Sequence, residues 1–122
     1  MDIDTSLKAA MTINGAVGAA LVDFESGLAL GTAGEGQPLN LELASAGNTE
    51  VVRAKLRTIE SLDLDDEIED ILITLGKQYH LIRLLRSPDH TSLFLYLALD
   101  RARANLALAR HELRRIEKEL SV

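Results

Sequence analysis

Residues 67–75 (EIEDILITL), 78–86 (QYHLIRLLR) and 91–99 (TSLFLYLAL) follow one another with only short breaks between them. In the last of these runs leucines alternate with Phe94, Tyr96 and Ala98, so a strand there is apolar on both faces. Such a strand has to be covered on both faces. The breaks are also too short for a parallel crossover, which needs about a dozen or more residues. The sequence therefore predicts an antiparallel sheet in which 91–99 is a central strand, with helices above and below.

A β-hairpin is predicted nearer the N-terminus. Two apolar runs, 15–24 (GAVGAALVDF) and 28–33 (LALGTA), flank the segment Asp23–Gly27. Glycine readily takes the positive φ that a tight hairpin turn needs, so this segment predicts the turn. Small residues on both faces of the first run predict helices that pack close to the sheet.

Helical patterns precede the hairpin and close the chain. Asp4 predicts the N-cap of a short helix that ends at about Met11, before Asn14-Gly15. Asp100 predicts the N-cap of a last helix over residues 101–120. A narrow apolar seam with helical spacing runs along this last helix: Ala102, Leu106, Ala109, Leu113, Ile116 and Leu120. Packing of the seam against the sheet is the simpler interpretation, and a coiled coil stays open as the alternative.

A third helix is predicted over residues 39–61, after a loop at Gly34–Pro38. Its apolar stripe contains Ala44, Val51, Val52, Lys55, Leu56, Ile59 and Leu62. Gly47 in the middle costs about 1 kcal/mol relative to alanine, and with Ala44 and Ala46 it makes a smooth patch. The patch has three interpretations: packing on the chain's own sheet, a break near Gly47, or contact between the helices of two copies. The predicted element order is α-β-β-α-β-β-β-α.

Length and composition predict one soluble domain over residues 1–122. Of the 122 residues 47% are hydrophobic, and no run approaches the roughly 20 apolar residues of a membrane helix. The N-terminus is acidic and lacks a signal-peptide pattern, and the absence of cysteine suits a reducing compartment. We therefore expect a cytoplasmic protein without membrane insertion.

Charge and aromatic content disfavour nucleic acid as a partner. The net charge of -6 divides into fourteen acids against four bases in residues 1–70, and nine bases against five acids in residues 71–122. Attraction to phosphates is therefore weak for the whole chain. Only Phe24, Tyr79, Phe94 and Tyr96 could stack on bases, and three of these four lie in predicted buried strands.

An acidic run raises the question of a cation site. Seven acids lie within residues 60–70: Glu60, Asp63, Asp65, Asp66, Glu67, Glu69 and Asp70. The EF-hand pattern fails, because Ile68 stands where the sharp-turn glycine belongs and Thr74 where the bidentate glutamate belongs. The run predicts instead a solvated acidic turn before a strand, and such a rim can steer a basic partner surface.

Catalytic patterns are missing from the sequence. The glycines of residues 31–36 have no Lys-Ser/Thr sequel, and residues 75–78 (LGKQ) lack the upstream glycine of a phosphate loop. The three histidines, His80, His90 and His111, have no metal-ligand spacing. Ser26 lies next to the turn glycine but lacks the nucleophile-elbow pattern. We therefore predict a non-enzyme with no catalytic, cofactor-binding or metal-binding residues.

Parts of the sequence resemble the roadblock family, which is named from dynein light chains. Residues 17–34 (VGAALVDFESGLALGTAG) are similar to its first hairpin. Residues 68–85 (IEDILITLGKQYHLIRLL) and 93–120 (LFLYLALDRARANLALARHELRRIEKEL) are similar to its closing strands and last helix, above all those of bacterial members. The resemblance covers the chain from about Thr5 to Leu120.

The resemblance implies an α+β fold, an α/β sandwich built on a five-stranded antiparallel sheet. The middle helix would cover one face of the sheet, and the first and last helices the other. Members of the family dimerise by pairing their middle helices and by joining their sheets at the third strand. In this chain the corresponding contact residues would be Ala44, Gly47, Val51, Lys55 and Ile59 on the helix, with Ile71 and Ile73 on the strand.

The resemblance also implies a role in signalling. Family members are adaptors or regulators of Ras-like GTPases, and bacterial members that activate a GTPase reorganise the GTPase's own site. No family catalytic residue exists to carry over, and nothing in this chain marks an arginine finger. The leading hypothesis is a homodimeric regulatory or scaffold protein that binds a bacterial Ras-like GTPase, or a signalling complex, such as a sensor-kinase complex, that contains one.

Other hypotheses remain at this point. A small-molecule sensor or profilin-like adaptor would need a cavity between the sheet and a helix. A small hydrolase would need an acid/base pair that the sequence does not supply, and charge-neutralising changes at Asp23, Glu25 and Asp100 would test it. Arg110, Arg114 and Arg115 are weaker candidates for a partner surface, and a solvated helix face is the preferred interpretation of them.

Overall fold

The computed structural model describes residues 1–34, 39–86 and 92–121. The elements follow the predicted order: α1 (Ile3–Met11), β1 (Ala16–Asp23), β2 (Leu28–Ala33), α2 (Leu41–Ser61), β3 (Asp70–Thr74), β4 (Gln78–Leu84), β5 (Leu93–Asp100) and α3 (Leu106–Glu119). The strands form one five-stranded sheet in the order β2-β1-β5-β4-β3, and every neighbouring pair is antiparallel. The predicted α+β fold class and the central position of the last strand are confirmed.

The sheet separates two apolar layers that meet at β5. Leu93, Leu95, Leu97 and Leu99 belong to the layer that α1 and α3 cover. Phe94, Tyr96 and Ala98 belong to the layer that α2 covers. All seven side chains are at least nine-tenths buried, as expected for a strand with helices on both sides.

Small residues in the β1–β2 hairpin let both helical layers approach the sheet. A Cβ added at Gly31 would lie 2.8 Å from Ile3 Cγ2 of α1, and one at Gly18 would lie 3.0 Å from Leu41 Cδ2 of α2. Arg53 of α2 donates from Nε to the Phe24 carbonyl at 2.8 Å, which fixes α2 to the hairpin turn. The turn predicted at Asp23–Gly27 is confirmed.

Two predicted helix starts are wrong. The N-cap of α1 is Asp2, whose side chain accepts from the Thr5 N–H at 2.8 Å, while Asp4 lies in the first turn. The N-cap of α3 is Asn105, which accepts from the Leu108 N–H at 3.0 Å, so the helix begins at Leu106. Asp100 ends β5 instead.

The other deviations are small. α2 begins at Leu41 with Asn40 as its N-cap, and it continues through Gly47 without a break. β3 begins at Asp70, so the first residues of the run 67–75 precede the strand. Of the predicted seam on α3, Ala102 is exposed and lies before the helix, while Ala109, Leu113, Ile116 and Leu120 are buried against the sheet. Most of the loop predicted at Gly34–Pro38 and the break at 87–90, with His90, lie outside the described residues.

Two ion pairs fix α3 to the half of the sheet formed by β3 and β4. Arg83 of β4 donates from Nε to Glu117 Oε1 at 2.7 Å, and Arg83 is only 8% exposed. Glu117 Oε2 also accepts from the Arg86 N–H at 3.0 Å. Arg110 makes a bidentate contact with Asp70 of β3, with both N–O distances at 3.2 Å.

Gly15→Ala is expected to destabilise the protein. Gly15 has a φ of 87°, and a Cβ there would lie 3.0 Å from the backbone of both Ala104 and Asp100. Left-handed strain alone costs about 1–3 kcal/mol, and backbone atoms cannot move aside as a side chain can. Gly76 has no neighbour within 4 Å of an added Cβ, so Gly76→Ala is the matched control. Chemical denaturation should separate the two variants; equal unfolding free energies would contradict this account.

Candidate functional site: the α2–β3 surface

A groove separates α2 from the outer strand β3. α2 approaches β1 and β2 most closely, and Ile71 and Ile73 of β3 are only half-buried on the same face of the sheet. The groove has a volume of about 650 Å³, with Val51, Ile68 and Ile71 as its apolar part. The rest of its lining is charged. It consists of Lys55 and Arg86 and of the carboxylates of Asp66, Glu67, Glu69 and Asp70.

The predicted contact residues lie on and around this groove. Val51, Lys55 and Ile71 line it together, and Ile59 lines a neighbouring groove at the C-terminal end of α2. Ala44 and Ile73 are half-buried against the α2-side layer. Gly47 borders neither groove, and an added Cβ there would have no heavy atom within 4 Å. Their role in a contact between copies stays a prediction.

The free edge of β3 presents a defined set of backbone groups. The Leu75 N–H donates to the Gln78 carbonyl at 2.8 Å, and the Glu69 carbonyl accepts from the Leu84 N–H at 3.3 Å. Residues 69 and 75 therefore point their backbone groups toward β4. Because alternate residues of a strand point to opposite sides, Asp70, Leu72 and Thr74 present their N–H and C=O groups to the free edge.

The acidic run is an exposed segment between α2 and β3. Its carboxylates surround a second groove of about 900 Å³, into which Leu56, Ile59 and Leu64 contribute apolar surface. Across residues 1–34, 39–86 and 92–121, no group of three or more possible ligands is placed to hold a metal ion. Leu62 and Leu64 are 59% and 53% exposed, an apolar feature of this segment that the charge pattern did not predict.

A chain of polar side chains crosses the layer beneath α2. Tyr96 Oη lies 3.3 Å from His80 Nδ1, and His80 Nε2 lies 2.8 Å from Gln78 Oε1. The two rings meet edge to face, with centroids 5.4 Å apart. Burial raises the pKa of Tyr96 to about 12, against a smaller opposite effect of the hydrogen bond from Asn48. Burial lowers the pKa of His80.

The sequence did not predict this series of polar side chains. Asn48 lies in the middle of the helix predicted over residues 39–61. An amide at that position of an apolar stripe is the one available signal, because a polar residue on a packing face needs a partner.

The carboxylates considered for hydrolysis serve local turns. Asp23 Oδ1 accepts from the Glu25 N–H at 3.0 Å, and Asp100 Oδ1 accepts from the Ala102 N–H at 3.0 Å. These backbone hydrogen bonds are the main reason why the pKa of each aspartate is lowered. Ser26 Oγ accepts from the Leu28 N–H at 3.3 Å. The structure brings these residues into turn geometry rather than toward His80 or His111.

The arginines of α3 have separate surroundings. Arg110 is committed to Asp70, and Arg115 contacts Glu112 one turn earlier on the same helix. Arg114 is exposed. Arg114 and Arg115 fit the preferred interpretation of a solvated helix face, whereas Arg110 does not, because it is half-buried against Asp70 of β3. No helix within the described part of the chain is long and apolar enough to cross a membrane.

Comparison with known proteins identifies the fold. No protein-family model matches the chain, and no curated protein matches it. A Roadblock/LC7 domain from Streptomyces avermitilis superposes with a TM-score of 0.82 at 13% identity, covering 98% of this chain and 94% of that one.

Two MglB structures are also similar. One, described as MglB with tetrameric arrangement, has a TM-score of 0.80 at 15% identity and covers 95% of this chain and 82% of that one. The gliding protein MglB from Thermus thermophilus has a TM-score of 0.72 at 17% identity, covering 95% and 88%. The chain adopts the Roadblock/LC7 fold that its sequence resembles.

Proposed function

We propose that this chain is a homodimeric regulatory or scaffold protein that binds a Ras-like small GTPase or a signalling complex containing one. The observation that carries the proposal is the groove between α2 and β3, where Val51, Ile68 and Ile71 lie among charged side chains next to an unpaired strand edge. Bare edges of this kind are association sites unless something covers them. The similar structures add support, since one is named a gliding protein and another is described as a tetramer.

The dimer contact that we propose has a helical part and a strand part. On α2 the contact residues are Ala44, Gly47, Val51, Lys55 and Ile59. Val51 is 38% exposed although it is branched and apolar, so covering it removes apolar surface from water. The open space around Gly47 lets a second helix backbone approach closely. On β3 the contact residues are Ile71 and Ile73.

The pleat of β3 restricts how two copies can pair. Odd-numbered residues such as Ile71 and Ile73 face the α2 layer, so an antiparallel partner must place odd residues opposite odd ones. A two-fold axis at Leu72 places Ile71 opposite Ile73 of the partner subunit and Asp70 opposite Thr74 of the partner subunit. Asp70, Leu72 and Thr74, whose backbone groups face the free edge, then all form backbone hydrogen bonds with the partner subunit. A shift by two residues leaves one of them without a partner, so we propose the Leu72-centred register.

Thr74→Pro tests this edge. The Thr74 N–H points away from β4, so proline removes a donor to the partner subunit without removing a hydrogen bond of the sheet. Two lost hydrogen bonds at about 1 kcal/mol each predict a dimer dissociation constant raised by roughly tenfold or more. Thr74→Val keeps the N–H and is the control. Analytical ultracentrifugation measures the constant, and a proline variant that dimerises as tightly as the valine variant excludes pairing through this edge.

GTPase binding requires a direct test. Purified bacterial Ras-like GTPases, loaded with GTP or with GDP, are passed over the immobilised chain, and GTP hydrolysis is followed with and without it. We expect retention of a GTPase in one nucleotide state. A faster hydrolysis rate would identify an activating partner, and retention alone a scaffold. Failure to retain a GTPase in either state would remove this function while leaving the dimer untouched.

The same groove supports a second candidate, a small-molecule sensor or profilin-like adaptor module. Its volume of about 650 Å³ lies within the range of small-molecule sites, although its lining carries more charge than is usual for them. A ligand there would raise the melting temperature, and Val51→Asp would abolish that increase. The absence of any stabilising compound in a metabolite screen would favour the GTPase-binding role.

A further inference from the structure

We propose that the groove at the C-terminal end of α2 is a docking site for a basic amphipathic segment of a partner protein. This groove, called the acidic groove below, is lined by Leu56, Ile59 and Glu60 of α2, by residues 63–67 and by Arg86. It has a volume of about 900 Å³. The proposal goes beyond the dimer and the GTPase-binding role, and it depends on neither.

Apolar side chains lie exposed in and beside the acidic groove. Leu64 lines it and is 53% exposed, and Leu62, the residue that follows α2, is 59% exposed. Leu56 and Ile59 line it from the helix and are half-buried. Single exposed leucines are ordinary on a protein surface, but several that share one concave surface indicate a binding site for another apolar surface.

The charges around the acidic groove select a basic partner. Five carboxylates line it against one cation, Arg86, which lies 3.8 Å from Glu67. These carboxylates do not converge on a point, since residues 1–34, 39–86 and 92–121 contain no group of three or more ligands placed to hold a metal ion. They form a rim instead. Lysine or arginine side chains of a partner would meet this rim while its apolar side chains cover the leucines.

A helix with one apolar face and basic side chains elsewhere has the chemistry that the acidic groove requires, because such helices bind by laying the apolar face into a groove. A small molecule fits less well, since small-molecule sites have few polar groups, whereas six of the nine lining residues here are charged. The basic helix α3 of the same chain is not available, because its apolar seam is buried against the sheet.

A second copy of the chain is also a poor occupant of the acidic groove. If two α2 helices pair antiparallel around Val51, Glu42 of the partner subunit comes to lie beside Glu60, since both are nine residues from Val51. Like charges would then meet at this end of the helix pair, and such contacts are unfavourable. The acidic groove therefore suits a partner of opposite charge better than a copy of itself.

Binding of a synthetic peptide to the full chain tests the proposal. The probe is a fluorescently labelled helix of about 15 residues, with leucines on one face and lysines elsewhere. One control peptide has the same composition in scrambled order, and another has glutamate in place of every lysine. We expect fluorescence anisotropy to show binding of the probe, binding of the scrambled peptide weaker by about tenfold or more, and no binding of the glutamate peptide. Added salt should weaken the binding of the probe.

Leu64→Asp separates apolar docking from attraction by charge alone. The variant makes the acidic groove more negative, so a purely electrostatic contact would become stronger. Docking on the leucines predicts the opposite, an affinity for the probe that falls by about tenfold or more. Leu28→Asp is the matched control, because Leu28 is 66% exposed and lies on β2, at the other edge of the sheet from β3. This control should bind the probe at least as well as the wild type.

A second variant tests the rim even if Leu64→Asp folds poorly. Glu60→Gln with Asp66→Asn removes two charges, and the asparagine oxygen can still accept from the Glu67 N–H as Asp66 Oδ1 does at 2.8 Å. We expect slower association with the probe and a weaker dependence on salt. Three results would each overturn the proposal: a wild type that does not bind the probe, a Leu64→Asp variant that binds it as well as the wild type does, or a Leu64→Asp variant with a lower mass by light scattering. The last result would assign the acidic groove to a contact between copies.

Discussion

Replacing Glu117 by alanine is expected to lower the free energy of unfolding by about 3–5 kcal/mol, the usual cost of removing one partner of a buried ion pair. Arg83 is 8% exposed and its Nε lies 2.7 Å from Glu117 Oε1, so the variant leaves a cation beneath α3 without its carboxylate. The Arg86 N–H loses its acceptor in the same step. Urea denaturation followed by circular dichroism measures the change.

The matched control removes both charges. Arg83→Met with Glu117→Leu fills the same space with apolar side chains, and such replacements of a whole buried pair are often close to neutral. We therefore expect the double variant to be more stable than Glu117→Ala alone. If the free energy of unfolding of Glu117→Ala were within about 1 kcal/mol of the wild-type value, the pair would behave as a surface ion pair. The apolar seam alone would then hold α3 on the sheet.

Val51→Asp combined with Ile59→Asp is expected to convert the proposed dimer into monomers. Both positions tolerate a carboxylate in the single chain, because Val51 is 38% exposed and Ile59 is half-buried at a groove. Lys55 lies one turn from both positions and can pair with one of the two carboxylates. In a helix–helix contact at least one carboxylate per chain would therefore be buried without a cation, which costs several kcal/mol. Light scattering after size-exclusion chromatography gives the mass directly.

The control places the same two carboxylates elsewhere on α2. Ala46→Asp with Arg57→Asp puts them at two exposed positions that lie roughly 120° or more around the helix from both Val51 and Ile59. This variant should remain a dimer. A dimer in the Val51/Ile59 variant would show that the middle helix is not the interface, and the β3 edge would then have to be tested alone through Thr74→Pro.

The sheet could be predicted because each of its sequence patterns involves residues that are close together along the chain. The alternation in residues 91–99 needs no partner to be recognised, and it correctly made β5 the central strand. The hairpin at Asp23–Gly27 was equally accessible, since the turn and both apolar runs are adjacent in the chain. The existence and order of all three helices followed from spacing alone.

Helix starts were harder to predict, because two residues with equal capping chemistry competed for each. Asp100 and Asn105 are both good N-caps. Long-range backbone hydrogen bonds decide between them: the Asp100 N–H donates to the Gly15 carbonyl at 2.8 Å, and the Arg101 N–H to the Lys77 carbonyl at 3.0 Å. These bonds tie the end of β5 to its neighbours. The chain then makes a single turn over residues 101–103, closed by the Arg103 and Ala104 N–H groups that donate to the Asp100 carbonyl, and α3 begins only after Asn105.

The residues of the candidate site were also predictable only in part. Val51, Ile59 and Ile71 were identified from helical and strand periodicity, and the structure places Val51 and Ile71 along one groove. Periodicity put Leu62 on the apolar stripe of α2, which is wrong, because Leu62 follows the last residue of the helix and is 59% exposed. It also could not predict the exposed Leu64 or the contact between Tyr96 and His80. A single polar or apolar residue outside a repeating pattern carries no directional information until its neighbours in space are known.

The sequence by itself determined the α+β class, the order of the elements and the two apolar faces of β5, since these depend on residues that are neighbours along the chain. Only the tertiary structure decided that α2 approaches β1 and β2 most closely and leaves Ile71 and Ile73 of β3 half-buried. It also decided which polar groups meet, as with Arg83 and Glu117, or Tyr96 and His80. Each of these contacts joins distant segments, and its geometry is fixed only once the whole sheet has formed.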